Sequence, residues 1–341
     1  MTFCYTLFMK FICGPMATIS HPAFRILIEK FGGCDEYFTE MINASSLLNA
    51  GPYEKYYIDP SPVPEKIVWQ LTGKDAEPMA RATEILCKLP GIGIDINMGC
   101  AAPDIYKTGA GIGWMLKPKE ETFAMVKDVA SVIKEHNINS PEEKKRFSIK
   151  LRLGDDNFKD EDFFDFCNGL AELGVELFTL HPRTKKEKLA RPARYEYCQK
   201  LAEVMHSRGV KVYLNGNVKD YNAFNNAVTR APSVDGVMIS RWAVEHPWIF
   251  STIRDELEGT DSEHTIDMLQ LALDYITDIE MYQPVDFWKT RLQRFFAYYS
   301  SNFLFGHYAQ TEFLNATDNE DLRKKLYAFF EKCPEERFRN V

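Results

Sequence analysis

Lys150 and Arg152 are two cations two residues apart, at the end of a β-rich run spanning 147–151. Side chains two apart on a strand point the same way, so both share one face. Two cations on an inward face need an anionic or electron-rich partner, because an unpaired buried charge is costly. Other reactive groups stand at the ends of similar runs: Gly14-Pro15-Met16, Glu40, Gln70, Asn97-Met98-Gly99-Cys100, His181-Pro182-Arg183-Thr184, Asn215-Gly216-Asn217 and Ser240-Arg241. Taken singly, Gln70 could bond a backbone group, His181 could be a packing histidine and Cys100 one more buried thiol. Taken together they form a set of polar groups delivered at strand ends.

Eight β-rich runs, at 11–15, 37–40, 67–71, 93–97, 147–151, 177–180, 210–214 and 236–239, carry these groups. Amphipathic stretches at 22–30, 78–89, 120–136, 160–173 and 195–207 separate them. This βα alternation predicts a parallel sheet wrapped by helices, and eight strands is the count of a (β/α)8 TIM barrel. In that fold chemistry gathers where strands end, and phosphate is bound after strands seven and eight. Gly216 would let the backbone approach a phosphate there, with Arg241 as a bidentate donor. Lys150, Gln70, Pro15 and Met16 could then surround a flat heterocycle, the lysine stabilising negative charge on a reduced ring.

Past residue 253 the pattern changes. A polar stretch at 255–263 is expected to be a linker, with no strand beyond it and helices near 266–279, 287–302 and 322–331. The expected organisation is a catalytic α/β barrel over 1–255 and a small C-terminal helical domain over 256–341.

The 341 residues hold 41 Lys+Arg against 49 Asp+Glu, a formal charge of -8. No field of the whole protein attracts a polyanion, so a nucleic-acid partner requires a local basic patch. One lies at 181–194, where Arg183, Lys185, Lys186, Lys188, Arg191 and Arg194 face only Glu187. A second groups Lys289, Arg291 and Arg294 with Phe287, Trp288, Phe295 and Phe296. It suits phosphate and base contacts, or equally a helix whose aromatics are core. The eight cysteines, at 4, 13, 34, 87, 100, 167, 198 and 333, form no CxxC pair and have no neighbouring histidine. No zinc site or disulfide framework is expected, and a reducing cytoplasm is. The N-terminal apolar run lacks a preceding basic residue and a cleavage site, and Met9 is an alternative start. No membrane span is expected.

GPMATISHPAFR, EMINA, WQLTG, DINMGCAAP, KTGAGIGWML, IKLRLG, HPRTK, LNGNV and GVMISRWAVEHPWIF follow in this order over about residues 10–255. The ordered set resembles the tRNA-dihydrouridine synthase (Dus) family, FMN-dependent TIM barrels that reduce uridine in tRNA. The resemblance implies FMN as cofactor, NADPH as reductant and tRNA as partner. It implies that Cys100 protonates C5 of the uracil as general acid, and a thiol, protonated at neutral pH yet able to yield its proton, suits that role. Pro15, Met16, Gln70, Lys150, His181, Asn215, Gly216, Asn217, Ser240 and Arg241 match positions that line FMN. Asn97 and Arg183 match residues that position the acid and the RNA, and Lys185 and Lys186 extend the basic loop beside them. The chain departs from the family pattern at Ala101-Ala102-Pro103, where proline usually follows the cysteine, and at Pro182 and Ser240. Two other readings stand beside this one: a small-molecule FMN barrel of the dihydroorotate dehydrogenase kind, and a catalytically silent RNA-binding barrel. On the tRNA reading, residues 256–341 are a helical tRNA-binding domain, and removal of the tail should spare the cofactor site while abolishing tRNA reduction.

Overall fold

The computed structural model describes residues 9–187, 191–260 and 264–341. Eight parallel strands close on themselves: β1 (Lys10–Cys13), β2 (Glu36–Phe38), β4 (Ile67–Thr72), β5 (Gly93–Met98), β6 (Arg146–Leu151), β7 (Leu177–Leu180), β8 (Lys211–Asn215) and β9 (Gly236–Ile239). β9 pairs back onto β1 with Phe11 opposite Val237, and β2 pairs with β4. A two-residue strand, β3 (Ile42–Asn43), resumes the line of β2 along β4. Phe38 lies opposite Val68 and Ile42 opposite Leu71, so four residues on this line face three on β4. The extra residue is a bulge, and bulges re-aim side chains at barrel rims. Here it falls beside Glu40, the predicted strand end.

Helices Pro22–Glu29, Ala76–Cys87, Lys119–Asn139, Asp160–Glu172, Tyr195–His206 and Tyr221–Arg230 wrap the barrel. Tyr221–Arg230 escapes the sequence reading because its three asparagines are poor helix formers. It forms because Asp220 accepts the Ala223 N–H as an N-cap, at 2.7 Å, and because Phe224, Ala227 and Val228 are buried. The interior alternates with period two. Low in the barrel Glu36 accepts from Lys10 at 2.7 Å, from Arg146 at 2.6 and 2.8 Å and from the Tyr213 hydroxyl at 2.9 Å. Ile12, Phe38, Val68, Leu177, Tyr213 and Met238 pack as a separate apolar cluster. The polar side chains of the site lie toward the C-terminal strand ends.

Two expectations for the tail need correction. The stretch at 255–263 is not all linker, because helix Ile249–Glu258 runs into it and stops at Gly259, whose φ of 67° suits glycine. Strands do follow: β10 (Thr265–Asp267) pairs antiparallel with β11 (Phe338–Asn340), Ile266 opposite Arg339. Three-residue strands show no readable alternation, and their partner lies more than 70 residues away. Helices Met268–Tyr282, Val285–Tyr299, Gly306–Leu314 and Asn319–Lys332 make up the rest, packed around Tyr275, Phe295, Phe296, Tyr299, Phe313 and Phe329.

Candidate active site

Strand parity places Gln70, Asp95, Asn97, Ser148, Lys150 and His181 in the upper barrel. Register sets Gln70 opposite Asp95 and Asn97 opposite Lys150. Asp95, fully buried, accepts from Gln70 Nε2 at 2.7 Å and from the Ser148 hydroxyl at 2.8 Å. The Gln70 Oε1 accepts from Asn97 Nδ2 at 2.9 Å, and Asn97 Oδ1 accepts the N–H groups of Cys100 at 2.9 Å and Gly99 at 3.2 Å. An ionised carboxylate can only accept, so it orients both amides: the Gln70 amino group must face Asp95, which turns every later link toward Cys100. Burial pushes Asp95 up to about 6, opposed by the bonds from Gln70 and Ser148 and by the Lys150 charge. Sequence reasoning named Gln70, Asn97 and Cys100 but missed Asp95 and Ser148. Both stand two residues before a named position, Asn97 or Lys150, so strand parity could have found them.

Nine of the ten positions expected to line a cofactor surround one cavity of about 230 Å³: Pro15, Met16, Lys150, His181, Asn215, Gly216, Asn217, Ser240 and Arg241. Arg152 lines it too, and no carboxylate does. Gln70 is fully buried outside that lining, engaged at both ends of its amide. Cys100 is half-buried and also outside the lining, yet close enough to Lys150 and Arg152 to interact with both electrostatically. Its loop is tied down from two sides. Arg152 Nε donates to the Gly99 carbonyl at 3.0 Å, and a side chain at Gly111, where φ is +57°, would stand 2.7 Å from the Cys100 carbonyl oxygen. In place of the family's proline, Pro103 opens the short helix Pro103–Tyr106.

The cavity is strongly cationic. Burial, then the neighbouring Arg152 charge, lowers Lys150 to about 8, and it has no hydrogen-bonded or ion-paired carboxylate among the described residues. Burial and the charges of Arg152, Lys150, Arg183 and Arg241 hold His181 well below its ordinary range, so the ring is neutral. Arg183 Nη1 donates to His181 Nε2 at 2.7 Å. A guanidinium cannot accept, so the imidazole proton sits on Nδ1. Arg183 is fully buried and also donates to the Arg191 carbonyl, which places it beneath the site and away from solvent. At the expected phosphate position Gly216 has φ of +128°, and a Cβ there would lie 3.1 Å from the His181 ring. Gly14 leaves no room either, since a Cβ would meet the Ser240 hydroxyl at 2.2 Å. Tyr195, another residue not anticipated, donates its hydroxyl to the Gly216 carbonyl at 2.8 Å.

The basic patches change in character. Lys185 pairs with Asp155 at 3.1 Å and Lys186 with Asp156 at 3.4 Å, while Glu187 pairs with Arg194 at 2.6 Å and Arg191 at 3.8 Å. The linear charge count of 181–194 omitted the two aspartates that fold against it. Lys188 lies outside the described residues. In the tail, Lys289 and Arg294 are exposed, but Arg291 is buried and ion-paired and Phe295 and Phe296 are core. Of the two readings offered for this cluster, a helix whose aromatics are core is the one that holds for Phe295 and Phe296, and the cluster is not one surface. Among the described residues no group of three His, Cys, Asp or Glu is placed to hold a metal, and no helix is long and apolar enough to cross a membrane.

A closed (β/α)8 barrel with a carboxylate-free, cation-lined cavity at its C-terminal strand ends is an enzyme architecture built to hold an anionic ligand. A family model described as Dihydrouridine synthase (Dus) matches residues 12–323, and the chain belongs to the dihydrouridine synthase family. It is 30% identical over 247 residues to the "Probable tRNA-dihydrouridine synthase" of Aquifex aeolicus (strain VF5), covering 72% of each chain. Over 241 residues it is 29% identical to a Homo sapiens protein named tRNA-dihydrouridine(20a/20b) synthase, NAD(P)+-like, covering 70% of each. The tRNA-dihydrouridine(16) synthase of Aquipseudomonas alcaligenes is 28% identical over 263 residues, 75% of this chain and 78% of that one.

Proposed function

We propose that this chain reduces uridine in tRNA to 5,6-dihydrouridine in the cytoplasm, with FMN in the cation-lined cavity and NADPH as reductant. The carrying observation is the convergence of nine predicted cofactor residues on one cavity with three cations and no carboxylate. The residues fit FMN. Arg241, Ser240 and the backbone at Gly216 and Asn217 would hold the phosphate, with Pro15, Met16 and Lys150 beside the ring system. Bound there and reduced by NADPH, FMN would supply the hydride for C6 of the uracil.

Cys100 delivers the accompanying proton to C5, so hydride and proton together saturate the double bond. Asn97 holds the Cys100 backbone for that transfer, and Asp95, through Gln70, holds Asn97. Neutral His181 adds no further positive charge beside Lys150 and Arg152 and donates from Nδ1. Residues 1–255 carry this chemistry, and the helical residues 256–341, with Lys185, Lys186 and the exposed Arg191, contribute to tRNA binding.

The test is to purify the protein, record its flavin spectrum and incubate it with NADPH and an unmodified tRNA transcript, reading dihydrouridine by mass spectrometry. Yellow protein that forms dihydrouridine is expected. Protein that takes up no added FMN, or that reduces free uridine as efficiently as tRNA, would overturn the proposal.

A further inference from the structure

Glu40, at the bulge between β2 and β3, is 5% exposed and joins two parts of the chain that are far apart in sequence. One carboxylate oxygen accepts the backbone N–H of Thr18. The other accepts from Arg291 Nη1 at 2.7 Å, and Arg291, 2% exposed, belongs to the tail helix Val285–Tyr299. The guanidinium also lies 5.0 Å from the Phe287 ring and 5.8 Å from that of Tyr57. Removing either partner of a buried pair leaves the other as an uncompensated charge, so the arrangement is coupled.

Thr18 makes the link consequential. Its φ of +64° is a left-handed conformation that a β-branched residue adopts only where the surroundings impose it. Thr18 sits inside the turn that follows β1, in which Met16 N–H donates to the Ser20 hydroxyl at 2.8 Å and Ser20 N–H donates back to the Met16 carbonyl at 3.0 Å. The same turn presents Pro15 and Met16 to the cavity. A chain of contacts therefore runs from the tail helix, through Arg291, Glu40 and Thr18, to one wall of the proposed cofactor site.

We infer that Arg291 is a positioning residue for the cofactor cavity: tail docking, through Glu40, holds the Gly14–Ser20 turn in its binding conformation. The inference rests on the FMN reading for its consequence. It departs from the expectation that removal of the tail spares the cofactor site, and it implies that a detached barrel would hold FMN poorly.

The experiment measures amide hydrogen exchange of Met16, Thr18 and Ser20 together with FMN affinity by fluorescence titration, in the full chain. Arg291→Met should speed exchange in the turn at least tenfold and raise the FMN Kd at least fivefold, with Arg291→Lys recovering part of both. Lys30→Ala is the control. It removes a different barrel-to-tail contact, Lys30 with Asp274 at 3.1 Å and Asp278 at 3.6 Å, and should leave the turn and FMN affinity within twofold of wild type. If Arg291→Met does not fold, Glu40→Gln keeps an acceptor for Thr18 while weakening Arg291, and a smaller change in the same direction is expected. Exchange in the turn within twofold of wild type for the folded variants overturns the coupling. Wild-type protein that binds no FMN sinks the cofactor reading instead, and the exchange data still decide whether Arg291 holds the turn.

Discussion

Lys150→Met separates stability from function. The lysine is half-buried among Arg152, His181 and Arg241, and burial with the Arg152 charge brings it from an ordinary 10.5 to about 8. At about 1.4 kcal/mol per tenfold change in proton affinity, keeping that charge costs the folded protein about 3 kcal/mol. The folded value lies below the unfolded one, so the penalty is present in full below about pH 8 and is relieved as pH climbs from 8 toward 10.5. In that window the unfolded chain holds more protons, and stability rises with pH. The FMN-free Lys150→Met variant should be more stable than wild type by about 1 to 3 kcal/mol at pH 7. The gap should narrow by pH 9.5.

FMN offsets that gain. Acceptor atoms of the ring system beside Lys150 would favour its charged form, so wild-type affinity should fall as pH rises past 8. The variant should bind about 1.5 to 3 kcal/mol more weakly at pH 7, the worth of a hydrogen bond to a charged group. Urea unfolding at pH 7 and 9.5, with and without FMN, measures both effects. An FMN-free variant less stable than wild type at pH 7 would refute the reasoning, because Lys150 would then be a satisfied structural cation.

Cys100→Ala should keep FMN and its reduction by NADPH but lose about 10² to 10⁴ in tRNA turnover, and stopped-flow against product assays will show whether the two steps separate. Asp95→Leu, which cannot orient Gln70, should slow tRNA turnover more than Asp95→Asn, which retains an acceptor oxygen; equal losses would mean that the carboxylate does not act through the amide chain. Glu36 is held down at about 2 by Arg146 and Lys10, so its stabilisation is present above about pH 4.5 and fades as pH falls toward 2. Glu36→Gln should therefore cost about 3 kcal/mol at neutral pH and lose less between pH 4.5 and 2 than wild type does, as acid titration of the unfolding free energy can show. Arg191, 74% exposed, should contribute more to the salt dependence of tRNA binding than Lys185, 16% exposed and paired with Asp155, so Arg191→Ala should lower the slope of log K against log salt by about one and Lys185→Ala by less.

The barrel was legible because each strand carries its own evidence: four or five β-rich residues, then a polar group at a fixed end. All eight predicted runs coincide with barrel strands to within a few residues, and the polar ends converge because closure leaves them nowhere else to go. What escaped has a common cause. Asp95 and Ser148 lie within strands and read as interior residues until the parity of their neighbours is applied. Asp155 and Asp156 stand about 30 residues before the lysines they neutralise, and β10 and β11 are each too short to signal without the other.

Arg291 shows why a charge count misleads most where two parts of the chain meet. In sequence it is one of three cations beside four aromatics, and nothing local separates it from Lys289 and Arg294. Its partner, Glu40, stands 251 residues away, and the bulge that aims Glu40 is a register property of β2, β3 and β4 together. A buried ion pair adds little net stability over an apolar pair of the same size, while losing one member is expensive. The pair therefore enforces one mode of docking more than it strengthens docking in general. Placed between the tail and the turn that carries Pro15 and Met16, it makes that single mode a condition on the cavity, which a tail held only by apolar contacts would not impose.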